Sequence, residues 1–101
     1  MKTFEKVLEI FREYLDCDRE EEVLKCSRGY LRVTWNGTSR FCVDGILSRT
    51  PDELFEVLLS DYSSYELIQR TKGCREVTEE DERQAEILCQ GFLERWEEEE
   101  K

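Results

Sequence analysis

The sequence predicts an α+β fold in the order α-β-β-β-α-α-α. A three-stranded antiparallel meander follows an N-terminal helix and precedes two to three further helices. Three observations carry this expectation. Tyr30-Leu31-Arg32-Val33-Thr34-Trp35 alternates strictly between two faces, the pattern of a half-buried strand. Phe4, Val7, Leu8, Phe11, Tyr14 and Leu15 recur at helical spacing and make one apolar stripe. Thr50-Pro51-Asp52-Glu53 places a cap, a proline at the first helical position and a glutamate at the third.

Taken in order, Thr3 caps a first helix expected to reach about Asp16. Its apolar stripe is expected to pack on the sheet. Cys17-Asp18-Arg19-Glu20 then connects to a first strand over residues 22–27. With Arg28-Gly29 as a two-residue loop, Cys26 falls opposite Leu31 and Leu24 opposite Val33. The third strand is read over residues 39–44. A plain Asn36-Gly37 loop would mix its faces with those of the second strand, because a one-residue slip turns every side chain over. A three-residue loop, Trp35-Asn36-Gly37, with Gly37 left-handed and bulged, puts Leu31, Val33, Phe41 and Val43 together on the core face. The opposite face then carries Lys25, Arg32 and Arg40 with Tyr30, Thr34 and Cys42. In this register Lys25 lies opposite Arg32, and such like charges call for an anion or for solvent.

The helix after Pro51 is expected to bury Leu54, Phe55, Leu58 and Tyr62, with Val57 and Leu59 widening its apolar face. Ser63 with Glu66 spells a second capping box, so residues 64–72 read as a separate short helix, or as a strand over 65–68. Thr78 with Asp81 starts the last helix, which lines Ala85, Leu88, Cys89, Phe92 and Trp96 along one side. Gly91 inside that helix suggests a close approach. The carboxylates of residues 97–100 sit at the helix's negative end, so residues 97–101 are expected to fray. No repeat or linker divides the chain, and residues 1–101 read as one domain. The order of the first five elements resembles the double-stranded-RNA-binding domain. The resemblance is one of topology: that family begins its second helix with lysines, where this chain has Asp52 and Glu53.

Composition narrows the chemistry. The 101 residues contain no histidine, which removes Cys-His and Ser-His catalysis. No glycine-rich phosphate loop is present, and an enzyme is not expected. Five cysteines without a Cys-x-x-Cys pair read as free, mostly buried thiols of a reducing cytoplasm, with no disulfide, metal or cofactor. Neither an apolar signal segment nor a membrane span is apparent. Cys42, near Arg32 and Arg40, is the one thiol with an argument for reactivity, as a redox sensor or enzyme.

The net charge is −10, and residues 76–101 alone contribute −8, whereas residues 21–50 contribute +2. Glu79, Glu80, Asp81, Glu82 and Glu86 are therefore the candidate partner-binding residues. A helix start favours acids in any case, so a merely solvated face would look the same. The functional expectation is a non-catalytic acidic protein that binds a basic protein surface, as an inhibitor or modulator of a nucleic-acid-handling protein. Small acidic inhibitors carried by phages, including anti-CRISPR proteins, are similar in size and charge. The alternative is a nucleic-acid-binding module using Lys25, Tyr30, Arg32 and Arg40, although the overall acidity disfavours direct contact with phosphates. A homodimer is compatible with either reading.

Overall fold

The computed structural model describes residues 1–37 and 41–99. The chain forms α1 (Phe4–Ile10), α2 (Arg12–Cys17), β1 (Glu21–Cys26), β2 (Gly29–Trp35), β3 (Cys42–Ser48), α3 (Pro51–Thr71) and α4 (Glu79–Glu98). This is the expected α+β order, with a three-stranded antiparallel sheet in the order β1-β2-β3. Helix outweighs strand, 56% to 21%, and the core is correspondingly helical.

Thr3 Oγ1 accepts from the Lys6 N–H at 3.1 Å and starts α1. The run bends at Phe11 (φ −97°, ψ 11°), but helical hydrogen bonds continue on either side of it. Phe11 itself is fully buried, its ring 5.4 Å from Phe55 and 4.7 Å from Phe92. Around it gather Val7, Ile10, Tyr14, Leu54, Phe55, Leu58 and Trp96. Trp96 stacks on Phe55 at 5.1 Å, and its indole N–H donates to Asp52 at 3.0 Å. A buried indole thus keeps its polar end satisfied. Of the tail expected to fray, α4 is helical through Glu98 and Glu99 reaches Lys6 Nζ at 3.4 Å, while residues 100–101 lie outside the description.

α3 is one helix rather than two. Ser63 and Ser64 lie inside it, because Tyr62 and Tyr65 continue its aromatic side against Tyr14 at 5.4 and 5.2 Å. Packing overrides the local capping signal. The helix ends where expected, with Lys72 (φ 55°) and Gly73 (φ 68°) both left-handed. On α4 Ala85 and Trp96 are buried, but Leu88 is exposed.

The sheet departs from the expected register in three ways. Ser27-Arg28 form the first loop, with Cys26 opposite Gly29, so β1 slides by two residues and Leu24 faces Leu31. Lys25 consequently faces Tyr30 rather than Arg32. Gly29 (φ 142°) opens β2 directly after this loop, and a Cβ there would lie 2.3 Å from the Ser48 carbonyl oxygen. Second, β3 runs to Ser48, pairing Leu31 with Leu47 and Val33 with Gly45, with an irregularity beside Trp35 that leaves Val43 as the extra residue. The loop is longer than three residues, and Gly37 is not left-handed. Residues 38–40, including the expected start of the strand, lie outside the description. In the expected register the backbone groups of Ile46 and Leu47 would have been left unpaired. Here they complete the ladder, and the chain passes directly to the Thr50 cap of α3.

Third, the sheet faces are reversed. Tyr30 stacks on Phe4 at 4.3 Å, and Arg32 is buried against α3. The helices therefore cover the face of Val23, Tyr30, Arg32 and Thr34. Leu31 and Val33 lie on the other side, and Phe41 and Val43 are more than 60% exposed rather than in the core.

Candidate interaction surface

The start of α4 separates the five candidate acids into two kinds. Asp81 is 2% exposed and accepts five hydrogen bonds. Arg75 donates two, Nη1 at 2.6 Å and Nη2 at 3.0 Å, and Arg70 Nε donates one at 3.1 Å. The Thr78 N–H at 2.9 Å and hydroxyl at 3.0 Å complete the set. Thr78 Oγ1 in turn accepts from the Asp81 N–H at 3.2 Å, closing a capping box. The Arg75 guanidinium above all, then the Thr78 backbone, holds the Asp81 carboxyl well below the usual carboxylate range. Asp81 is therefore a clamp between the α3–α4 connection and α4, and it is withdrawn from the partner-binding set.

Glu79, Glu80, Glu82 and Glu86 remain on the surface. Glu80 is engaged locally, by Arg83 and by Gln84 Nε2 at 2.9 Å. Glu79, Glu82 and Glu86 have no ion pair among the described residues. Ile87 and Leu88 follow in the same helix at 57% and 43% exposure, Ile87 next to Glu86 and Leu88 on another side of the helix. Gly91 follows one turn on. A Cβ there would meet nothing within 4 Å, so no intramolecular approach requires the glycine.

The basic set is not presented together. Lys25 is exposed at the end of β1, Tyr30 is stacked on Phe4, and Arg40 lies outside the described residues. Arg32 is 5% exposed within a ring of acids that sequence reading did not connect to it. Its Nε lies 2.9 Å from Asp61 and 3.6 Å from Glu21, and Nη1 donates to Asp44 at 3.2 Å and to Thr34 at 2.7 Å. The Thr34 hydroxyl passes the contact on to Glu21 at 2.7 Å. Three carboxylates neutralise the cation, which is what allows its burial. Burial and the Glu21 charge push Asp61 up to about 7, against the opposing effect of Arg32. A groove of about 500 Å³, lined by Tyr14, Asp18, Glu21, Asp61 and Tyr65, opens this pair to solvent.

The thiols differ from expectation as well. Cys17, Cys26, Cys42 and Cys74 are exposed, and only Cys89 is half-buried. Cys42 pairs with Trp35 on the face opposite Arg32, whose charge is already taken. Among the described residues no group of three or more cysteines and carboxylates converges on a metal position. No helix among them is long and apolar enough to cross a membrane. Comparison of the chain with protein-family models, with curated proteins and with solved structures finds no match.

Proposed function

We propose that this is a non-catalytic protein-binding module that presents the acidic surface of α4 to a basic surface on a partner, inhibiting or modulating a protein that handles nucleic acid. The observation that carries this reading is the exposure of Glu79, Glu82 and Glu86, unpaired among the described residues, with exposed Ile87 next to Glu86. Unpaired carboxylates steer a cationic partner over distance, and adjacent apolar groups supply contact once water is excluded. Gly91 leaves room for close approach along the same helix. The charge bias of −8 over residues 76–101 favours a groove built for phosphate.

The test is affinity capture from a lysate of the native host at low salt, with release by a salt gradient. The captured protein is then assayed for nucleic-acid binding with and without this chain. Competition with nucleic acid, lost when Glu79, Glu82 and Glu86 are changed together to glutamine, is the expected result. Capture that is indifferent to both salt and the triple substitution overturns the reading.

A further inference from the structure

Antiparallel sheets with one covered face normally bury their apolar side chains against the second layer and turn the polar ones to water. This sheet departs from that rule. The helices cover Glu21, Arg32 and Thr34 together with Val23 and Tyr30, while Leu24, Leu31, Trp35 and Leu47 surround Val33 on the open side. Val33 is 3% exposed without a helix above it, because its neighbours close over it, and Gly45 opposite lies within 4.0 Å of both Leu31 and Val33 at its would-be Cβ. Glu22 is the one charged residue at a strand position on this face, and it sits at one end, accepting from Trp35 Nε1 at 2.7 Å.

We propose that the open face is covered by the same face of a second copy, the two sheets stacking about 10 Å apart around a two-fold axis. Charge favours this occupant. Arg28 and Arg49 stand at one end of the strands, and Glu20 and Glu22 at the other. An axis lying in the interface and crossing the strands sets the Arg28 end of each copy over the Glu22 end of its mate, so the complementary contact is made twice. The acid-rich α4 packs on α1 and α3, in the layer behind the sheet. Two chains of net charge −10 therefore meet through their least charged surface. Size sets the strength. Three strands of about seven residues offer a face of roughly 14 by 22 Å. That is small beside the roughly 800 Å² per partner of a standard interface, so the dimer is concentration-dependent rather than obligate.

Sedimentation velocity on the intact chain from about 1 to about 300 µM, the range a small interface spans, tests this. The wild type is expected to pass from monomer to dimer, and Leu31→Lys to remain monomeric with an unchanged far-ultraviolet circular dichroism spectrum. If Leu31→Lys does not fold, a charge cycle decides. Arg28→Glu weakens the dimer by about tenfold, the scale of one rim charge reversal, and adding Glu22→Lys restores it. A wild type that stays monomeric throughout overturns the proposal and leaves the face to a different protein. So does a dimer that survives a folded Leu31→Lys or is untouched by the charge cycle.

Discussion

Arg32 Nε lies 2.9 Å from Asp61 Oδ2, tying the middle of the sheet to the middle of α3. Glu21 Oε2 approaches the same nitrogen at 3.6 Å. A single N–H cannot serve two carboxylates well, and Glu21 Oε2, Asp61 Oδ2 and Arg32 Nε all lack an aligned hydrogen bond. The junction is an ion cluster with one donor too few, and a proton on Asp61 supplies it.

That deficit predicts an unusual pH dependence. Asp61 rises from an ordinary 3.8 to about 7 in the fold, so the native state holds this proton more tightly than the unfolded chain. Its stabilising contribution is complete below the unfolded value and is lost as the pH climbs towards 7. Glu21, Arg32, Asp18 and Tyr14 are the groups that face it or share its groove. Urea midpoints should therefore fall between about pH 5 and about pH 8, outside the range where ordinary carboxylates titrate. Asp61→Asn, which keeps the shape without the ionisation, should flatten that slope. Parallel profiles for the two proteins would count against the shared-donor account.

Asp81 should behave in the opposite sense. Its carboxyl is held low, so its contribution is present above 3.8 and is lost as the pH falls below it. Asp81→Asn removes the acceptor for a two-pronged Arg75 contact and should lower the Tm clearly at neutral pH. The joint change of Glu79, Glu82 and Glu86 to glutamine should leave the Tm unchanged or slightly raised, since it relieves repulsion on an exposed face. Thermal melts of the two variants side by side decide the matter. Equal losses would return all of these acids to a common structural role.

Gly91→Ala tests whether the glycine serves the fold. The site has open space and helical backbone, so alanine should stabilise the chain by about 0.5–1 kcal/mol, measured by urea denaturation. If α4 is the docking surface, the same substitution should weaken capture of the partner.

Phe11 is the packing centre, with no exposed surface and aromatic rings on two sides. Phe11→Ala should cost about 3–5 kcal/mol in the same urea experiment. A loss below about 1 kcal/mol, the level of an ordinary surface change, would mean that the helices close over the gap.

Helix starts were legible because caps are local. Thr3, Thr50 and Thr78 each bond the third residue on, as their spelling indicates. Strand order was legible from alternation and turn residues. The inward face was not, because alternation divides side chains into two sets without saying which set meets the helices. Arg32 looked like solvent-facing charge, since Asp44 and Asp61 lie 12 and 29 positions away and only the fold brings them to it. Among the α4 acids, Asp81 alone stands at the third helical position after Thr78, which hinted at a cap. Its burial depends on Arg70 and Arg75, and nothing local announces that they converge. Ser63 misled because its capping spelling is outweighed by the tyrosines on either side of it.

The Asp81 clamp has a consequence for digestion. Residues 72–78 are exposed throughout, and a protruding connection of this kind is where a protease normally cuts first. Trypsin would find two sites there, Lys72 and Arg75. To use the second it must draw the guanidinium into its own acidic pocket, and that group is already bound to Asp81 and to the carbonyls of Arg70 and Glu76. Cleavage after Arg75 must wait for the clamp to open, so the first nick falls after Lys72. In an Asp81→Asn chain both bonds should yield together.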